Sequence, residues 1–210
     1  MKHIIVIVII SCVLLFNESK AQLIKTYGVK LAYTAATENF DPKWSPNVKY
    51  RQGVNAAVFA EWLNFPVFSI ISQIEYAQRG AFVDYLPTQD AAGPEHIIWT
   101  EHTRVDYLSI PLFAKFSIPM GTLSPFIALG PKIDILLGHR SDEGHLNYIY
   151  DQFNNTTLGG TFSIGGQMKS GLPFSVILEG RFNFDFQDSY SSDGLKIRNT
   201  SIDIWLGLAL

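Results

Sequence analysis

The sequence predicts an all-β fold class, a single eight-stranded antiparallel up-and-down barrel. Three observations lead to this prediction. Apolar and polar residues alternate with a period of two in eight segments, no later apolar window is long enough for a transmembrane helix, and aromatic residues reach 13% of the chain, with fifteen Phe and nine Tyr. Aromatic residues favour strands, and a period of two separates the side chains of a strand into two faces.

The composition is that of a folded chain with few charges. Of the 210 residues, 47% are apolar and 17% are charged, which is too apolar for disorder and below the charge content of about 25% in soluble domains. The net charge of −3 leaves no basic surplus for phosphates, so we expect no nucleic-acid partner. The single cysteine, Cys12, excludes an internal disulfide framework and a cysteine-based zinc site.

The first element is a predicted signal peptide. Lys2 provides a positive start, residues 4–16 are almost wholly apolar, and Ser19 and Ala21 place small residues before a cleavage site. We therefore expect a signal peptide at residues 1–21 and one barrel domain at residues 22–210. A lipoprotein anchored through Cys12 is the alternative, and the apolar run that continues beyond Cys12 argues against it.

The strands follow in order, each justified by its alternation. In residues 174–187, the even-numbered positions are Phe, Val, Leu or Gly, whereas the odd-numbered positions are mostly polar. A helix would spread both sets around its axis, whereas a strand separates them. The eight predicted strands are residues 27–34, 53–62, 68–79, 108–117, 127–135, 157–169, 174–187 and 201–210.

The connections between these segments alternate in length. Tight turns are expected at residues 64–66, 119–123 and 170–173, and long polar loops at residues 37–48, 80–103, 139–155 and 188–196. In an up-and-down barrel, short and long connections lie on opposite rims. Several segments also exceed the roughly five to six residues of ordinary strands and reach the roughly nine to eleven of a membrane-spanning strand.

Alternation by itself leaves two barrels open. A secreted, ligand-binding barrel would turn its apolar face inward, and a transmembrane β-barrel would turn it outward against lipid. The signal peptide, the strand lengths and the unequal loops favour the bacterial outer membrane. We therefore expect outer-membrane lipid as a partner, and the long loops are candidates for contact with a protein partner.

The polar face of the predicted strands balances six cations against six anions. Inside a narrow barrel these charges would be costly unless they were paired, and eight strands leave an interior just wide enough for side chains. We therefore predict that a network of ion pairs occludes the lumen. Its members are Lys30, Arg51, Glu61, Glu75, Arg79, Lys115, Lys132, Asp134, Glu179, Arg181, Asp185 and Asp203.

Several segments resemble a known family. Residues 107–116 (YLSIPLFAKF) resemble the "YLxIPLLxKY" strand of Bacteroidetes-type outer-membrane β-barrel proteins, which are also called porin-like or PorT-like. Residues 124–131 (SPFIALGP) are similar to the "xPYxxxGP" strand, and residues 72–80 (SQIEYAQRG) to "PELLYSQKG". The likeness extends through residues 178–182 and 196–210 and covers essentially the whole mature chain. It implies an outer-membrane barrel, and the PorT-like label implies a role beside type IX protein secretion.

The chain departs from many outer-membrane barrels at its last residue. Those barrels end in an aromatic residue that helps the insertion machinery, whereas this chain ends in Leu210. Because leucine keeps the apolar parity of the strand, the departure concerns insertion efficiency more than the fold.

Candidate chemistry is confined to one predicted loop. His139 and His145, with Asp142 and Glu143, could bind a metal, but their spacing matches no zinc pattern and fits a solvated loop better. Ser141 lies in the same loop, where some barrel enzymes carry their active sites, yet no nucleophile stands next to a base. We expect no catalytic residue, no metal and no cofactor. The expected function is structural or loop-mediated, with a small-solute porin as the alternative.

Overall fold

The structure is a computed structural model. It describes residues 24–41, 47–63, 65–85, 99–142, 146–169, 171–192 and 194–210. The predicted signal peptide at residues 1–21 lies outside these ranges.

The described residues form ten strands and one short helix. In chain order these are β1 (Ile24–Asp41), β2 (Asn47–Trp62), β3 (Phe68–Arg79), β4 (Ala81–Tyr85), β5 (Trp99–Ser117), β6 (Leu123–Ser141), α1 (Asn147–Tyr150), β7 (Thr156–Lys169), β8 (Ser175–Asp185), β9 (Tyr190–Ser192) and β10 (Leu195–Ala209).

Eight of the strands close into a ring. Their order is β1-β10-β8-β7-β6-β5-β3-β2, and pairing of β1 with β2 completes the circle. Neighbours are antiparallel throughout. The short strand β4 continues the line of β3 and pairs with β2 and β5, whereas β9 pairs with β10. The predicted fold class, an eight-stranded antiparallel barrel, is confirmed, and closure removes the free sheet edges that would invite aggregation.

The two faces of each strand have opposite exposure. On β10, Ser201 and Asp203 are fully buried, whereas Ile202 and Ile204 are at least half exposed. The same alternation runs along the other barrel strands. A soluble ligand-binding barrel would show the reverse pattern, so this observation rejects it. We call the exposed outer side chains the apolar band; it includes Leu31, Val58, Ile74, Leu112, Leu129, Ile164, Leu178 and Leu206.

The predicted long loops are shorter than expected because the strands extend into them. β1 continues to Asp41, β4 lies inside residues 80–103, β6 continues to Ser141, and β9 lies inside residues 188–196. Beyond the apolar band both faces of a strand can be polar, so the alternation that marks a strand in the sequence fades there. The opposite rim has the tight turns that the sequence predicts. In the β5–β6 turn, Met120 N donates to Leu123 O at 2.8 Å and Gly121 has a φ of 65°, a conformation that suits glycine.

A short segment around α1 covers the rim that carries the longer connections. Its apolar side chains are buried and contact inward residues such as Val83, Val105 and Ile197. None of the helices in the described part of the chain is long and apolar enough to cross a membrane. We call this segment the apolar cap; its buried side chains are Leu146, Ile149, Tyr150 and Phe153.

Candidate functional site

The middle of the lumen is crossed by a chain of ion pairs. Lys30 Nζ lies 2.6 Å from Glu179 Oε2, Arg181 Nη2 lies 2.8 Å from Glu179 Oε1, and Arg181 Nη1 lies 2.9 Å from Glu75 Oε2. All four side chains are buried. Arg181 extends from β8 and Glu75 from β3, which are four positions apart in the ring of eight. The pair therefore joins opposite walls of the barrel.

The guanidinium of Arg181 also lies between two aromatic rings. Its central carbon is 4.8 Å from the ring centre of Phe113 and 4.6 Å from that of Trp205. Both rings are buried and point inward from β5 and β10. Cation–π contacts of this kind are stronger when the cation is removed from water, so the two rings support Arg181 in the orientation that spans the lumen.

A second group of ion pairs lies towards the rim with the tight turns. Lys115 Nζ is 2.8 Å from Glu61 Oε2, and Lys25 Nζ is 2.8 Å from Glu61 Oε1. Ser69 Oγ donates to the same carboxylate at 2.7 Å. Glu61 therefore receives three donors from three strands, and Lys115 also lies 4.7 Å from the ring centre of Phe126.

A third group lies towards the rim with the apolar cap. The ammonium of Lys132 contacts Asp134 and lies 2.8 Å from Asp185 Oδ1. The other oxygen of Asp185 accepts a hydrogen bond from Asn199 Nδ2 at 3.1 Å. Gly159 provides the space for this arrangement, because a Cβ atom there would lie only 2.8 Å from Lys132 Cε.

Two further predicted residues lie among these groups. Asp203 accepts hydrogen bonds from Thr34 Oγ1 and from Asn183 Nδ2, the latter at 2.7 Å. Arg79 Nη2 lies 3.8 Å from Glu75 Oε1. Within the described part of the chain, Arg79 Nη2 and Glu75 Oε1 have no hydrogen-bond partner. The positive charge of Arg79 therefore acts on the surrounding acids mainly through longer-range electrostatic attraction.

Arg51 occupies a different position from the other eleven residues of the predicted network. Those eleven are buried inside the barrel, whereas Arg51 is half-buried near the end of β2 that carries the longer connections. Its electrostatic neighbours are Arg104, Asp106 and Asp142. It lies above the apolar band, where strand parity no longer separates a lumen from a lipid face.

Sequence reasoning missed two buried carboxylates under the apolar cap. Glu38 accepts a hydrogen bond from Tyr150 Oη at 2.6 Å, and burial raises the pKa of Glu38 to about 7. Glu101 accepts hydrogen bonds from Ser141 Oγ and from the Leu146 amide. Glu38 has the same parity on β1 as the inward Lys30, so extending the alternation of β1 by four residues would have identified it.

The histidines of the described ranges lie in surface ion pairs. His102 Nδ1 is 3.3 Å from Asp142 Oδ2, and His139 Nε2 is 3.1 Å from Asp151 Oδ1. The other two residues of the considered metal site, Glu143 and His145, lie outside the described residues. Within those residues no group of three or more His, Cys, Asp or Glu side chains could hold a metal ion.

Three solved structures are similar to this chain. OprG from Pseudomonas aeruginosa superposes with a TM-score of 0.51 at 9% identity, covering 88% of this chain and 95% of that one. Neisserial surface protein A gives 0.44 at 10% identity, covering 86% and 95%. Ail of Yersinia pestis gives 0.41 at 11% identity, covering 88% and 98%. At these identities the likeness to OprG shows the fold alone.

The sequence itself matches a family model. Among curated protein sequences, none matches this chain. The model of the outer membrane protein beta-barrel domain matches residues 21–191, which is most of the chain, and the outward apolar band agrees with a lipid environment. The chain therefore belongs to the outer membrane protein beta-barrel family, and its place is the bacterial outer membrane.

Proposed function

We propose that this protein is a non-enzymatic outer-membrane barrel whose lumen is occluded and whose work is done by its extracellular side. The observation that carries the proposal is the bridge from Arg181 to Glu75, which joins opposite walls of the ring. A solute would have to break this pair, and separating a buried pair leaves uncompensated charges at a cost of about 3–5 kcal/mol.

The apolar cap supports an occluded lumen at a second position, the rim with the longer connections. Tyr150 and Phe153 are buried against inward residues of the strands, and the Tyr150 hydroxyl donates to Glu38 of β1. In outer-membrane barrels the longer connections are extracellular, so the apolar cap closes the extracellular end. A water-filled channel would instead need a continuous polar path through this apolar cluster.

Single-channel recording in planar bilayers tests the occluded lumen. We expect no steady conductance from the purified full-length protein, because the ion pairs and the apolar cap leave no open path. A small-solute porin would give steady openings, and their appearance would overturn the proposal. The positive control combines Arg181→Ala/Glu75→Ala with Tyr150→Ala/Phe153→Ala. It removes both the bridge and the aromatic part of the apolar cap, so it should introduce measurable openings.

The surface chemistry supports a non-enzymatic role. His102 and His139 each pair with an exposed aspartate, which places both in solvated ion pairs at the surface. The extracellular ends of β2, β4, β5 and β6 instead form an extended sheet surface that can contact another protein. Surface proteolysis of intact cells should cut the long connections and spare the three tight turns.

We also propose that the protein belongs to the PorT-like group and has a role in type IX protein secretion. The support for both is the sequence resemblance of residues 72–80, 107–116 and 124–131. Loss of the protein should then reduce the secreted cargo of that system in the culture medium. Unchanged secretion would contradict the link and leave the occluded barrel standing.

A further inference from the structure

The outer surface just above the apolar band carries two arginines in direct opposition. Arg104 of β5 is the register partner of Arg140 of β6. Both point away from the lumen, since Thr103 and Val105 on either side of Arg104 are fully buried and Arg140 is exposed. Directly opposite residues have Cβ atoms about 4.5–5.5 Å apart, and like charges in such positions repel each other. An anion between them would remove this repulsion.

A third arginine lies beside this pair. Burial lowers the pKa of Arg51, and the charge of Arg104 is the next cause, so Arg104 is an electrostatic neighbour of Arg51. The Nη1 atom of Arg51 is buried and has no hydrogen-bond partner within the described residues. Positive charge and an unused donor are therefore concentrated at one place on the barrel wall.

The acids nearby balance only part of this charge. Asp106 accepts from Arg104 Nε at 2.8 and 3.1 Å, and Asp142 lies 3.3 Å from His102 Nδ1. Tyr76 Oη accepts from Arg104 Nη2 at 2.7 Å, so Arg104 is held in a fixed orientation. Among the described residues, three arginines thus face two aspartates, one of which is shared with a histidine.

The height of the three arginines fits the head groups of the outer leaflet. On β5, Asp106 is the outer position next to Arg104, and below it lie Leu108, Ile110 and Leu112, which belong to the lipid-facing side. A tilted strand climbs roughly 10 Å over the four residues between Leu108 and Arg104. On β6, exposed Leu137 is followed three residues later by Arg140. The arginines therefore lie above outward apolar side chains of the same two strands, and we call Leu108, Ile110, Leu112 and Leu137 the apolar strip.

We propose that Arg51, Arg104 and Arg140 bind the phosphate of a phosphorylated lipid in the outer leaflet, with its acyl chains on the apolar strip below. Guanidinium groups recognise phosphate through two parallel hydrogen bonds. The apolar strip that begins at Leu108 and Leu137, below the arginines, favours a lipid phosphate over free phosphate. The inference goes beyond the proposed function, because it concerns the outer wall and is independent of whether the lumen conducts.

Native mass spectrometry of the full-length protein in detergent tests the proposal. The probe is lipid A carrying both of its phosphates, compared with the same lipid after enzymatic dephosphorylation. We expect wild type to retain the phosphorylated lipid at a concentration about tenfold lower than the dephosphorylated one, and Arg140→Gln to lose about tenfold in retention. The matched control is Arg198→Gln, an exposed arginine near the same rim whose Nε is 2.6 Å from Asp188 Oδ1; it should bind as wild type does.

Three outcomes would overturn the proposal. Equal retention of the two lipids would show that phosphate is not recognised. An equal loss in Arg140→Gln and Arg198→Gln would show general attraction by surface charge. Displacement of the lipid by inorganic phosphate in large excess would show a site for free anions. Arg140 is exposed, so its replacement leaves folding intact, as heat-modifiable migration in gels can verify.

Discussion

Several buried charges in this lumen contact more than one partner. Glu179 contacts both Lys30 and Arg181, and Lys132 contacts both Asp134 and Asp185. Sharing of this kind satisfies the several donors and acceptors of each charged group, which a single pair would leave partly unmet. Replacing a whole network by apolar residues can be neutral, whereas removing one member leaves its partners buried and uncompensated.

Arg181→Met tests this dependence at the scale of one residue. The change leaves Glu75 without its close cation and removes both hydrogen bonds to Glu179. We expect a loss of about 3–5 kcal/mol in the free energy of unfolding, measured by urea denaturation in micelles. Lys169→Gln is the control, because Lys169 is exposed at the end of β7 and its loss should cost under about 0.5 kcal/mol. Equal stability of the two variants would contradict the prediction.

A second residue-scale prediction compares two glycines of β6. A Cβ atom at Gly130 would lie 1.8 Å from the carbonyl oxygen of Leu112, whereas at Gly138 it would meet no atom within 4 Å. Gly130→Ala should therefore force the β5–β6 pair apart and cost about 1–3 kcal/mol. Gly138→Ala should leave the denaturation midpoint unchanged. If both variants unfolded together with wild type, the close approach at Gly130 would be refuted.

At the scale of elements, the apolar cap is a small second core above the charged lumen. Leu146 and Ile149 come from the β6–β7 connection, and they contact inward residues of β4, β5 and β10. Because the connection has few residues in regular structure, its position depends on this apolar contact and on hydrogen bonds to Glu38 and Glu101. Its stability should therefore respond to the protonation of these acids.

The pKa of Glu38 predicts whether the apolar cap becomes more or less stable as the pH rises. Burial raises this pKa from the ordinary value of 4.5 to about 7, and the groups facing Glu38 include Tyr150 and Tyr107. A raised pKa means that the closed cap binds the proton more tightly. The stabilisation of the cap by protonated Glu38 is therefore complete below pH 4.5, and it is lost as the pH rises through about 7. Hydrogen exchange of residues 146–153 should accelerate between pH 5 and pH 8, after correction for the intrinsic rate.

The variant Glu38→Gln isolates this group. An amide keeps the shape and can still accept from Tyr150, but it does not titrate. We expect corrected exchange of residues 146–153 to become independent of pH over this range. If the variant kept the dependence of wild type, another group would be responsible.

At the scale of the whole molecule, one physical arrangement accounts for the chain. The ring of eight strands satisfies its backbone hydrogen bonds internally, which a lipid environment requires. Apolar side chains then cover the outside and charged side chains pair within. A spin label at Leu206→Cys should be accessible to oxygen, which dissolves in acyl chains, and a label at Arg198→Cys on the same strand should be accessible to a water-soluble nickel chelate. Reversed accessibilities would contradict the orientation of β10.

How much of this arrangement is visible in the sequence differs between elements. The alternation in β8 and β10 is enough to assign Glu179, Arg181 and Asp203 to one face. The same reasoning assigns Arg51 to the lumen, yet it lies above the apolar band, where parity no longer reports on a lumen. The cap residues Leu146, Ile149 and Phe153 show no period of two, because they belong to a connection and not to a strand.

The order of residues is sufficient to establish that this chain alternates in eight strands and places charges on one face, because side-chain direction in a strand depends only on neighbouring residues. Which charges meet follows from the closed barrel instead. Arg181 and Glu75 are 106 residues apart in the chain, and their contact depends on how the ring sets the register of every strand between them. The same closure places Tyr150 over Glu38, since these two residues belong to elements that no local pattern connects.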